Sequence, residues 1–141
     1  MMSAQTNWDD EPTHVQQLED LSPRDQEAIR EWAGGKAVRA VADSDLQFNG
    51  EYGQVRLVLL EGAVLTVEDG EVVRRVDLDD VAAAHCRDFV GNGVLEVRTG
   101  DGRRIEVVRY SKTRADAFDE IAERINRRLD VSAEELAERQ D

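Results

Sequence analysis

Val55-Arg56-Leu57-Val58-Leu59-Leu60-Glu61-Gly62-Ala63-Val64-Leu65-Thr66-Val67-Glu68-Asp69-Gly70-Glu71 is the most informative run in the chain. Successive residues of a strand point to opposite faces, so Val55, Leu57 and Leu59 share one face while Val58 and Leu60 take the other. Glu61-Gly62 makes a tight turn into a second strand, Ala63–Val67. Glu68-Asp69-Gly70-Glu71 is a hairpin signal, because Asp-Gly tolerates the positive φ such turns need. Working outward, Val72–Leu78 and Val81–Asp88 read as strands separated by Asp79-Asp80. Gly91-Asn92-Gly93 and Gly100-Asp101-Gly102 mark two further hairpins, enclosing Val94–Arg98 and leading to Arg103–Tyr110. Upstream, Val38, Ala40 and Ala42 alternate until Asp43-Ser44-Asp45 breaks the run. Seven or so strands on short turns predict an antiparallel meander rather than alternating βαβ units.

Helical signals flank the strands. Ser22 is placed to cap a helix over residues 22–33, with Pro23 at its first position, Ile29, Trp32 and Ala33 on an apolar face, and Gly34-Gly35 as its stop. A short helix is also expected near His14 to Asp20. After Tyr110, Phe118, Ile121, Ala122, Ile125 and Leu129 recur at helical spacing over 112–129. Ser111 or Thr113 can cap this helix, Thr113 with Asp116 resembles a capping box, and Arg124, Arg127 and Arg128 fall where a helix end favours cations. Ser132-Ala133-Glu134-Glu135 suggests a second, short helix or a linker.

Composition narrows the function classes. The chain has 141 residues, 40% hydrophobic but only 5% aromatic, so Val, Leu, Ile and Ala must build the core. The formal net charge is −13. It is spread along the chain, with about −6 on residues 1–34, about −4 on 35–110 and about −3 on 111–141. Such a chain is repelled by phosphate backbones and by anionic headgroups, which argues against nucleic acid and lipid partners. No apolar run approaches the ~20 residues needed to cross a bilayer, no signal peptide is evident, and the lone Cys86 fits a reducing compartment.

Residues with chemical potential each have a plainer explanation. His85 and Cys86 are neighbours in a strand and face apart, so they cannot ligate one ion together; His14 is distant in sequence. Gly34-Gly35-Lys36 lacks the earlier glycine (Arg30 stands there) and the Ser or Thr (Ala37 stands there) of a phosphate loop. Gly91-Asn92-Gly93 is not followed by a helix and reads as a turn. Asp79-Asp80, Asp43 with Asp45, and Glu68-Asp69 are expected at exposed turns, where carboxylate pKa values stay ordinary. Arg74-Arg75 and Arg103-Arg104 suggest a solvated sheet with cross-strand ion pairs, or a small basic patch for an acidic partner. No catalytic, cofactor-binding or metal residue is expected.

Asn49-Gly50-Glu51-Tyr52-Gly53-Gln54 with the strand that follows, then Val64–Gly70, resembles the first half of bacterial pleckstrin-homology-like domains. Val76-Asp77-Leu78-Asp79-Asp80-Val81 looks like their hydrophobic–acidic step into the next strand. Val108-Arg109-Tyr110-Ser111, with Phe118 in the last helix, is similar to the version that precedes the membrane and ATPase domains of certain bacterial ABC exporters. The resemblance covers roughly residues 15–130. Two departures stand out: Glu61-Gly62-Ala63 replaces a more polar, often basic, turn, and the chain stops where a linker to membrane helices would begin. Asp43, Asp45 and Glu51 occupy the turns where phosphoinositide-binding relatives cluster Lys and Arg, so phosphoinositide binding is not expected.

The expected fold class is therefore α+β: a pleckstrin-homology-like, partly open antiparallel β-barrel of about seven strands. A C-terminal helix caps it and an extra N-terminal helix packs outside. Residues 1–13 are expected as a disordered leader, 14–130 as the domain and 131–141 as a polar tail or linker. The resemblance implies a non-catalytic, cytoplasmic interaction or regulatory domain of a bacterial ABC-type transporter, held at the inner membrane face by its parent protein. The alternative is a free-standing module that binds a protein or peptide at a strand edge. An enzyme or ligand carrier with a pocket inside the barrel is the third reading.

Overall fold

The computed structural model describes residues 15–140, with side chains through residue 130. His14 and the expected leader, 1–13, lie outside the described residues. Seven strands form one antiparallel sheet: β1 (Val38–Leu46), β2 (Tyr52–Leu60), β3 (Ala63–Glu68), β4 (Glu71–Asp77), β5 (Val81–Asp88), β6 (Asn92–Thr99) and β7 (Arg104–Ser111). Their order is β4-β3-β2-β1-β7-β6-β5, and the sheet is not closed. Helix α1 (Pro23–Ala33) precedes the sheet and α2 (Ala115–Gln140) follows it. Together they make an α+β fold.

The two faces of β2 explain the layering. Leu57 and Leu59 join Ala40, Ala42, Val64, Leu95, Val97 and Val108 in a core closed by Phe118, Ile121, Ala122 and Ile125 of α2. Val58 and Leu60 point the other way and meet Leu21, Ile29 and Ala33 of the α1 segment, with Val41, Ala63 and Leu65. Each apolar face of this strand thus has its own helix. Ser22 caps α1 by accepting from the Asp25 amide, and Gly34 ends it in the left-handed conformation at φ 59°.

β1 and β7 share one backbone pair, Leu46 with Arg109. Beyond it the strands part, and side chains take over. Ser44 Oγ donates to the Arg109 carbonyl and Thr66 Oγ1 to the Val107 carbonyl, both at 2.5 Å. Arg74 Nη1 donates to the Glu106 carbonyl, its guanidinium lying 4.4 Å from the Phe48 ring centre. Donors from β1, β3 and β4 therefore satisfy carbonyls of a strand that lacks a backbone neighbour there.

Several expectations need correction. Asp43-Ser44-Asp45 does not break β1, which continues to Leu46. Ser44 turns inward to Arg109, Asp43 Oδ1 pairs with Arg56 Nε at 2.8 Å, and Asp45 Oδ2 accepts from the Ser111 hydroxyl at 2.8 Å. These long-range partners outweigh the local turn preference. Near His14 to Asp20 the described part holds a bridge from Gln16 to Val41 and one 3-10 turn, Leu18–Asp20, in place of the short helix. A 3-10 turn at Lys112–Arg114 precedes α2, and the Ser111 hydroxyl is engaged by Asp45 rather than capping that turn. α2 runs unbroken to Gln140, past Ser132, where a new helix or a linker was expected. Arg124, Arg127 and Arg128 therefore sit within the helix and not at its end. They pair with Glu120 (2.7 Å), Glu123 (3.6 Å) and Glu61 respectively.

Candidate interaction surface

The register of β5, β6 and β7 sorts their residues into two faces. Cys86, Leu95 and Val108 are aligned and turn into the core. The adjoining rows turn outward: Arg87, Val94 and Arg109; then His85, Glu96 and Glu106; then Ala83, Arg98 and Arg104. Four arginines that are scattered in sequence thus share one face.

Two of these arginines have acidic partners. The Glu96 side chain is only 4% exposed, with His85 Nε2 at 2.9 Å and Arg87 Nη1 at 3.5 Å. Arg109 Nη2 lies 3.2 Å from Glu106, although the buried Arg109 Nε has no hydrogen-bond partner. Arg98 and Arg104 stand directly opposite each other across the strand pair, are exposed, and form no ion pair among the described residues. Like charges at directly opposed positions repel. On a chain of net charge −13, this face carries a local cationic surplus.

One end of the same face is apolar. The β5–β6 turn presents Phe89, 44% exposed, and a fully exposed Val90. The Arg87 guanidinium sits 5.3 Å from the Phe89 ring centre, which ties the turn to the arginine face.

A second feature lies beside α1. Trp32, Asp25, Asp43, Asp45, Arg56 and Arg114 line an open cleft of about 460 Å³. Arg56 bridges Asp43 (2.8 Å) and Asp25 (3.2 Å). Burial alone would lower its pKa, but the hydrogen bonds and charges of these two acids outweigh it and hold the guanidinium above its ordinary value. The cleft's central cation is thus already neutralised, which makes Arg56 a clamp between α1 and the sheet.

His85 and Cys86 diverge as their strand positions require. His85 faces outward to Glu96, whereas Cys86 packs at the core edge beside Tyr110. Burial pushes the Cys86 thiol up to about 12, which leaves it a poor nucleophile. Burial likewise raises the Tyr110 hydroxyl above its ordinary range. Gly34-Gly35 ends α1. Asp79-Asp80 lies in a 3-10 turn and Glu68-Asp69 at the β3–β4 hairpin, whereas Asp43 and Asp45 stand within β1. Arg74 turns inward and Arg75 outward to Asp77 at 3.3 Å. Arg103 precedes β7, is exposed like Arg104, and pairs with Asp101 at 3.2 Å. Among the described residues, no group of three or more His, Cys, Asp or Glu side chains is placed to hold a metal ion. None of the described helices is long and apolar enough to cross a membrane.

No protein-family model matches the chain, and neither a curated protein nor a solved structure matches it.

Proposed function

We propose that this chain is a pleckstrin-homology-like domain that acts by contact with another protein and carries out no chemistry of its own. Its setting, in this reading, is the cytosolic face of a bacterial ABC-type exporter, as an interaction or regulatory domain. The observation that carries the contact reading is how the interior is occupied. Leu57, Leu95, Val97, Phe118, Ile121 and Ile125 are completely buried where the sheet folds around α2, so the space a barrel could offer a ligand is filled by the protein's own side chains. The outer face of β5–β7 and its adjoining turn, by contrast, present exposed Phe89 and Val90 together with Arg98 and Arg104, which form no ion pair among the described residues. The strand order with one closing C-terminal helix supports the domain resemblance, as does the Val108–Ser111 step into that helix.

The purified domain, incubated with ATP and magnesium, is expected to release no phosphate above background, and turnover would end the contact reading. The exporter setting is checked by the gene. A reading frame that continues into apolar segments and an ATP-binding motif supports it. A stop codon directly after Asp141 would favour the free-standing module, for which β4 offers an open sheet edge with Val72 and Val73 exposed.

A further inference from the structure

Resting on the contact reading, we infer that the outer face of β5–β7 docks an extended acidic segment of a partner protein, with an apolar anchor at the Phe89-Val90 turn and carboxylates at Arg98 and Arg104. The first support is charge complementarity. Arg98 and Arg104 repel each other and have no acidic neighbour that pairs with them, so an incoming carboxylate relieves an unfavourable contact as well as forming a favourable one. Of the two acids on this face, Glu96 is buried beside His85 and Arg87, and the more exposed Glu106 is paired with Arg109 at 3.2 Å.

The second support is dimension. At ~3.3 Å per residue the strand from Asn92 to Arg98 measures ~20 Å, which about six to eight residues of extended chain span. The exposed Phe89 ring and Val90 side chain lie at one end of that path and the two arginines at the other. An anionic membrane is the less favoured occupant, because the net charge of −13 repels it across the rest of the surface.

The test uses the whole chain and a fluorescein-labelled peptide rich in Asp and Glu with two leucines at one end. Wild type should bind it, and added salt should weaken the complex. Arg104→Glu should weaken binding roughly tenfold or more by removing one cation and pairing off the other. The same substitution replaces a like-charge pair with an opposite-charge pair, so its melting temperature should rise or hold. Loss of binding then cannot be ascribed to unfolding. Phe89→Ser should weaken binding without altering the salt dependence. The inference is overturned if wild type fails to bind the peptide, or if Arg104→Glu leaves binding unchanged. It is equally overturned if the variant instead abolishes binding to phosphatidylserine vesicles or self-association in sedimentation, since the occupant would then be a membrane or a second copy. These results bear on this face alone, whereas ATP turnover bears on the contact reading.

Discussion

Gly93 shows how one missing side chain can organise a core. A Cβ at this position would come within 2.6 Å of the Tyr110 ring, which is fixed by stacking on Phe118 at 4.6 Å between ring centres. Neither ring can step aside, because both are almost completely buried. Gly93→Ala should therefore destabilise the fold by ~1–3 kcal/mol, the usual cost of overpacking. Chemical denaturation measures it, and an unchanged midpoint would show that the ring yields. The sequence pattern at Gly91-Asn92-Gly93 announces a turn, and Gly91 does adopt φ 83° there. It says nothing of the ring above Gly93, because that contact joins β6 to β7 and depends on their register. Asp43-Ser44-Asp45 fails as a turn signal for the same reason, since its partners are Arg56 of β2 and Arg109 and Ser111 of β7.

Among the elements, the two outer strands are treated differently. β5 is shielded by α2, where the Asn126 side chain accepts from the Ala84 amide at 2.9 Å and donates to the Ala84 carbonyl at 2.8 Å. One amide side chain thus imitates a neighbouring strand. Asn126→Ala should cost ~1–3 kcal/mol, since two groups in a partly buried site lose their partners. Thermal unfolding reads the loss, and amide exchange should quicken at Ala84 specifically. The apolar stripe of α2 is legible from spacing alone, and so are both faces of β2, because each rests on the local period of its element. The arginine face is not legible in that way. Arg87, Arg98, Arg104 and Arg109 become neighbours only once three strands pair in register.

At the scale of the whole molecule, Glu61 joins parts far apart in sequence. Its carboxylate sits in the β2–β3 turn and pairs with Arg39 of β1 (Nε at 2.7 Å) and with Arg128 of α2. The Arg39 hydrogen bond, aided by the Arg128 charge, holds its pKa below the ordinary 4.5 despite partial desolvation. A depressed carboxylate pKa contributes stability that is complete above the ordinary value and fades as pH falls through the folded-state value. Wild type should therefore exceed Glu61→Gln in urea midpoint at neutral pH, and the gap should shrink on acidification below about 4.5. A gap independent of pH would mean that the pairing with Arg39 and Arg128 does not matter.

The seam along β7 has a kinetic corollary. Three of its side-chain fasteners join residues 65, 41 and 32 positions apart. Each requires a large loop to close before any return is gained, so they are poor nuclei. The hairpins on either side have no such handicap. The chain is thus built to assemble as two local meanders that meet late, and the line where they are buttoned together is where amides should first exchange with solvent when the native state breathes.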